Sequence, residues 1–247
     1  MRTVGIDLSA NPAKTGACTI DWAAGAVTFI DRPATDAQLV EAIADADMTG
    51  IDIPLGWPDG FVDAVSAHHD AAAWPVADVE PPGDRERLRF RTTDIVTRDG
   101  GAQPLSVSTD RIGVAAMRGA RLQHLLRQAG VPVDRSGIAG KIAGIYPAAA
   151  LRRWKLTSSG YKGRPNAAAC QILARELTAR CGPLATAVEA RLEGCDDDAL
   201  DSVVSAIVAR AVLQRQTKHP DGDQLELARR EGWIHVPTVG VEKIIEG

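Results

Sequence analysis

Aromatic residues make up only 4% of the 247-residue chain. That is too few for a single-strand groove built on base stacking. Lysine is scarce as well: six of the 28 basic residues are Lys and the rest are Arg. The net charge of −4 leaves no basic excess. Avid, unspecific duplex binding, which depends on phosphate contacts, is therefore disfavoured, although a local basic face stays open. The four cysteines (Cys18, Cys170, Cys181, Cys195) form no Cys-x-x-Cys pair and have no His at zinc spacing. They read as free thiols of a reducing compartment, and the chain as cytoplasmic. The five histidines show no ligand spacing, and His68-His69 read as surface residues. No apolar run approaches the ~20 residues of a membrane span, so no membrane partner is expected. Met1 to Asp7 reads as a strand carrying an acid rather than a signal peptide. Internal repeats and low-complexity tracts are absent.

What is present is globular. Hydrophobic residues make up 45% and charged residues 24%, enough apolar surface to offset chain entropy. The length suits one large domain, read as 1–247. Thr3–Leu8, Gly16–Trp22 and Ala26–Asp31 read as three strands of an antiparallel meander. Thr35–Ala46 reads as a helix capped by Thr35 or Asp36, with Leu39, Val40 and Ile43 in one stripe. Gly50–Pro54 is a compact strand. Residues 60–73 read as a helix, and 75–110 as an irregular Arg- and Pro-rich insertion. Pro75, Pro81, Pro82 and Gly83 break the chain there, and Arg85, Arg87, Arg89, Arg91 and Arg98 crowd it. Helices follow at Ile112–Ala129, 148–154, 166–180, 183–192 and Asp198–Gln214. Short strands are expected at Ala143–Tyr146 and Trp233–Val236. This is an α/β chain with a mixed sheet, the meander followed by parallel strands, flanked by helices.

Three acids sit where solvated acids do not belong. Asp7 ends the apolar run Val4-Gly5-Ile6, and Asp52 lies inside Gly50-Ile51-Asp52-Ile53-Pro54. Burying a carboxylate demands a partner, a hydrogen bond or a metal. Either acid alone also suits a cap on a neighbouring loop. Asp196-Asp197-Asp198 fits a helix N-terminus, where acids complement the dipole. Asp201, one turn on and followed by Val203, Val204, Ile207 and Val208, is not explained that way. Asp198 and Asp201 stand at i and i+3, on one helix face.

Carboxylates clustered without His or Cys suit hard cations such as Mg²⁺ or Mn²⁺. Two such ions ~3.5–4 Å apart activate water and stabilise a leaving oxygen in phosphodiester hydrolysis. Asp7 as bridge, with Asp52 and Asp198 or Asp201, supplies a ligand set.

The order strand-Asp, hairpins, helix, strand-Asp, late helix-Asp resembles the ribonuclease H-like fold. More closely, the chain resembles the predicted-nuclease family known as domain of unknown function 429. The resemblance rests on GIDLSANPAKTG (5–16), GIDIPLGWP (50–58), RFRTTD (89–94), IYPAAALRRW (145–154), GYKG (160–163), DALDSVVSAIVA (198–209) and EGWIHVP (231–237). It implies a ribonuclease H-like sheet and a carboxylate site at Asp7, Asp52 and the Asp198/Asp201 helix. It also implies an acid ahead of the Tyr-Pro strand, where this chain has Gly144.

Lys162 is read as a phosphate contact or a solvated loop lysine. Arg89 and Arg91 are read as phosphate contacts or surface partners of Asp94 and Glu86. Ser9 and Asn11 either line the site or form its turn. Trp57, Trp154 and Trp233 read as core or rim anchors. Three functions compete: a Mg²⁺- or Mn²⁺-dependent nuclease or phosphodiesterase acting on nucleic acid or a nucleotide, a phosphotransferase of the actin-like ATPase class, and a non-catalytic binding module.

Overall fold

The computed structural model describes residues 1–75, 83–192 and 196–247. β1 (Arg2–Asp7), β2 (Gly16–Asp21) and β3 (Ala26–Phe29) form the expected antiparallel meander. α1 (Asp36–Asp45) begins at Thr35. The Gln38 N–H donates to Thr35 Oγ1 and the Thr35 N–H donates to Gln38 Oε1, so two helix-end donors are satisfied reciprocally. β4 (Met48–Asp52) lies parallel to β1. α2 (Asp59–Ala71), α3 (Gly83–Arg89), α4 (Thr92–Asp99) and α5 (Gly113–Gln128) precede β5 (Ile142–Gly144), which pairs parallel with β4. The sheet runs β3-β2-β1-β4-β5. After it come α6 (Pro147–Arg153), α7 (Ala167–Thr178), α8 (Ala185–Leu192), α9 (Asp197–Leu213), α10 (Gln224–Glu231) and α11 (Val241–Glu246).

Side-chain alternation sorts the strands into two faces. Val4, Ile6 and Ile51 pack with Leu39 and Ile43 of α1 and Leu122 and Leu126 of α5. The opposite face meets α9. Every residue of α9 from Ala199 to Val212 is buried, as a helix apolar on all sides must be. Its far side is covered by Leu151 of α6, Leu173 and Leu177 of α7, Val188 of α8 and Ile244 of α11. On its sheet side, α9 rests on bare backbone. A Cβ at Gly5 would stand 1.8 Å from the Ser202 carbonyl oxygen, and one at Gly50 would stand 2.3 Å from that of Ser205.

Several expectations change. The stretch expected to be irregular, 75–110, holds α3 and α4. α4 is fastened by its own Arg91–Asp94 pair and by Thr93 Oγ1, which accepts from the Ile234 N–H at 2.7 Å. The anticipated strand Trp233–Val236 reduces to a bridge between Ile234 and Gly144, because the Trp233 N–H turns away to the Arg135 carbonyl. The short strand expected at Ala143–Tyr146 is displaced to Ile142–Gly144, since Pro147 already starts α6. Cys18 and Cys181 are free and buried, but Cys170 is disulfide-bonded, so the expectation of four free thiols fails there. The pairing of Cys170 depends on tertiary approach, which cysteine spacing does not encode. The Pro81-Pro82 break, the Arg87 side chain and Cys195 lie outside the described residues. Trp154 and Trp233 are core residues, and His68 and His69 are exposed, as expected. Among the described residues, no helix is long and apolar enough to cross a membrane.

Candidate functional site

The period of two places Thr3, Gly5 and Asp7 on the α9 face of β1, and Thr3 Oγ1 donates to the Ala206 carbonyl at 2.9 Å. Gly50 and Asp52 lie on the same face of β4. Asp7 and Asp52 are register partners, so their carboxylates stand side by side where the two central strands end. The two Gly-Ile-Asp triplets work alike: the glycine admits α9, and the acid two residues later clears the start of that helix. This repeated triplet was a signal for the site that a residue-by-residue reading passes over.

Asp201, in the first turns of α9, is fully buried. Its partners come from the loop between Gly160 and Gly163, both with positive φ. The Tyr161 hydroxyl donates to Asp201 Oδ1 at 2.8 Å, and Lys162 Nζ lies 2.5 Å from Oδ2. About half of the Lys162 side chain is exposed, while its ammonium turns inward. Gly163 N–H donates to Asp197 Oδ2 at 3.1 Å, which ties the loop to the start of α9.

The cluster carries too much negative charge for its solvation. Burial pushes Asp7 well above the usual carboxylate range, and Asp52 beside it adds to the shift. Burial likewise raises Asp52, from 3.8 to about 7, with Lys162 pulling it back and Asp201 pushing it up. Asp201 is raised by burial and held down by Lys162 and Tyr161. Burial alone would lower the Lys162 ammonium, but Asp201, Asp52 and Asp7 together hold it above its ordinary value. Between pH 3.8 and about 7 the folded chain therefore keeps a proton on Asp52 that the unfolded chain has released. The contribution of this group to stability falls as pH rises across that window and levels off above it. Asp52→Asn is expected to flatten the slope and to stabilise the protein above pH 7 by on the order of 2 kcal/mol. Urea unfolding at pH 5, 7 and 8 measures this, and identical slopes in variant and wild type would sink it.

Asp7, Asp52 and Lys162 form one end of a cavity of about 490 Å³. Its body is apolar, with Leu8, Ile53, Leu105, Ile112, Ile145 and Ile234 among its walls. Tyr146, which sequence reasoning missed, also lines it and donates to the Gln103 carbonyl at 3.2 Å. So does Tyr161.

The other anticipated residues have partners of their own. Asp198 is half-buried and pairs with Arg32 at 3.4 Å. Its charge still reaches the cluster, adding to the rise of Asp7. Asp196 caps α9, accepting from the N–H groups of Asp198 and Ala199. Among the described residues, Asp196, Asp197 and Asp198 are the trio whose carboxylate oxygens all lie within 4.8 Å of one another, whereas Asp7, Asp52 and Asp201 do not close to that spacing. Lys162 and Tyr161 claim Asp201 instead. The trio at 196–198 is accounted for by the helix cap, the dipole and Arg32.

Arg91 touches the cavity, but it is buried and spent. It pairs with Asp94 at 2.8 Å and donates to the Glu231 carbonyl at 3.3 Å. Arg89 donates to Thr109 Oγ1 at 3.3 Å. Ser9 Oγ accepts from the Asn11 N–H at 3.3 Å, and the Ser9 carbonyl accepts from Arg118 at 2.6 Å, so Ser9 shapes the turn after β1. At Gly144, a Cβ would stand 2.6 Å from the Trp233 carbonyl oxygen, so the strand has no room for an acid at that position.

A family model described as "Protein of unknown function (DUF429)" matches residues 5–225. The chain belongs to that family. The match contains both Gly-Ile-Asp triplets, the Gly160–Gly163 loop and the whole of α9, so every residue of the DUF429 chain that forms the acidic end of the cavity lies within it. No curated protein and no solved structure gives a significant match to the DUF429 chain.

Proposed function

We propose that this protein is a Mg²⁺- or Mn²⁺-dependent phosphodiesterase of ribonuclease H-like architecture, with Asp7 and Asp52 as the metal ligands. The observation that carries this reading is the register pairing of two acids at one end of a largely apolar cavity, both raised by burial and neighbouring acids. Such a pair concentrates hard oxygen donors and negative charge that Lys162, paired with Asp201, offsets only in part. Mg²⁺ commonly sits on one or two carboxylates and keeps its remaining positions for water and substrate phosphate. The donor set therefore fits. The antiparallel meander, the parallel β1-β4-β5 half and the acid on a late helix agree with the ribonuclease H-like resemblance.

When bound, the ion supplies Lewis acidity for water attack on phosphorus. The chain's own groups do the rest. Asp201, fixed by the Tyr161 hydroxyl, holds the Lys162 ammonium at the acidic end, where it attracts and orients a phosphate oxygen. The apolar walls receive a base or another apolar group and exclude water around the reacting ester. Asp198 is left out of the ligand set, as its partner is Arg32. A binding module that has lost chemistry is the second reading, favoured by the Lys162 ammonium already seated among the acids.

The test is hydrolysis of bis(p-nitrophenyl) phosphate and of a labelled oligonucleotide, with Mn²⁺ and with excess chelator. Cleavage that needs Mn²⁺ supports the phosphodiesterase. Absence of both cleavage and calorimetric Mn²⁺ binding by the folded protein supports the module.

A further inference from the structure

Two arginines of the Arg-rich stretch are already engaged within the protein. Arg91 is buried on Asp94, and Arg98 stacks 3.4 Å over the Phe90 ring and lies 3.8 Å from Glu86. Other cations without a carboxylate partner converge elsewhere. A second cavity, of about 360 Å³, is lined by Arg152, Arg153, Lys155 and Lys218 and, among the described residues, by no acid. Among the described residues, none of the four forms an ion pair.

Arg152 and Arg153 complement the dipole at the end of α6. That does not account for Lys155, beyond the helix, or for Lys218, which arrives on the separate segment after α9. Four like charges around one hollow repel one another, and an anion seated there would relieve them beyond what solvent screening does. Two of them are seated. The Arg152 guanidinium packs where a Cβ at Gly101 would come within 2.7 Å of it, and Arg153 donates to the Thr238 carbonyl. Lys218 is fixed through its backbone: its N–H donates to the Val236 carbonyl and its carbonyl accepts from Trp233 Nε1, both at 2.8 Å.

The location ties this cavity to the first. Ala148 of α6 lines the acidic cavity, Ala149 lines the basic one, and Ile234 lines both. The two cavities thus share α6 and Ile234 in their walls.

We propose that the basic cavity is a phosphate subsite for a nucleic-acid strand, holding a backbone phosphate adjacent to the diester positioned at Asp7 and Asp52. The proposal rests on the phosphodiesterase reading of the first cavity and names its substrate class as a polynucleotide rather than a mononucleotide. It also agrees with the low aromatic content: affinity comes from phosphate contacts rather than from stacking.

The test uses the triple variant Arg152→Gln/Lys155→Gln/Lys218→Gln of the full chain. All three residues are exposed, and a matching Tm confirms that the variant folds. Anisotropy of a labelled single-stranded oligonucleotide in chelator is followed from 50 to 200 mM salt. The variant is expected to bind at least about tenfold more weakly at 50 mM, with a log-log salt slope shallower by about 2. The ratio of oligonucleotide to bis(p-nitrophenyl) phosphate turnover is expected to fall at least about tenfold. Unchanged affinity and slope would overturn the proposal, as would equal loss on both substrates or equal wild-type affinity for a mononucleotide and an oligonucleotide. A wild type that hydrolyses the small diester but does not bind the strand overturns the subsite and leaves the phosphodiesterase standing. A wild type that binds the strand through these cations yet hydrolyses neither substrate supports the nucleic-acid site and overturns the phosphodiesterase.

Discussion

Asp7→Asn is expected to abolish Mn²⁺-dependent phosphodiester cleavage, with a loss of at least about a hundredfold, the scale on which a single well-placed electrostatic group acts. The substitution is nearly isosteric, so the strand keeps its register with Asp52 and α9 keeps its seat on Gly5. What disappears is one of two charges whose repulsion and burial create the demand for a cation. Removing it also relieves Asp52, so the variant should be at least as stable as wild type while calorimetric Mn²⁺ binding weakens at least tenfold. Activity and metal binding are read on the same preparation, with near-UV circular dichroism as the check on folding. Full activity in a folded Asp7→Asn protein would refute the assignment of Asp7. Retained metal binding with lost activity would move the ligands elsewhere and leave Asp7 a different role in the reaction.

Gly5→Ala is expected to destabilise the protein by about 3 kcal/mol or more, at or above the upper end of ordinary overpacking. The added methyl would meet the Ser202 carbonyl at 1.8 Å and the Ala206 nitrogen at 2.4 Å. Both belong to the helix backbone and cannot rotate aside. Relief requires α9 to lift from the sheet, and α9 carries Asp201. The hold of Asp201 on Lys162 should therefore loosen and activity should fall with stability, although neither Asp7 nor Asp52 has changed. Gly100→Ala is the control: its Cβ meets only the Thr97 carbonyl, at 3.3 Å, and a change below about 1 kcal/mol is expected. Equal stability of the two variants in urea would show that α9 does not bear on the strand as closely as described.

The meander, α1 with its Thr35 cap, the Gly50 strand and α9 were legible because each is written in local pattern: alternation, a capping residue, a continuous apolar run. α3 and α4 were not. Charge and proline mask their periodicity, and what holds α4 is long-range, through the Glu231 carbonyl and the Ile234 N–H. The site divides the same way. Asp7 and Asp52 announce themselves as acids in apolar strands. Asp198 and Asp201 look equivalent on one helix, and only the neighbours tell them apart: Arg32 reaches one, Lys162 and Tyr161 the other.

The basic residues show the widest gap. By sequence density the Arg-rich stretch was the candidate for contacting phosphate, yet Arg91 pairs with Asp94 and Arg98 lies on the Phe90 ring. The four cations that converge on one cavity come from positions 152 to 155 and from 218. The mixed α/β character, two acids in apolar strands and a late acidic helix could be read from the residues, because burial preference and periodicity are properties of short segments. Tertiary structure alone decided which acids share a site, which cations are spent and which are free. Pairing energy depends on distance and desolvation, and neither exists until strands and helices from opposite ends of the chain have packed together.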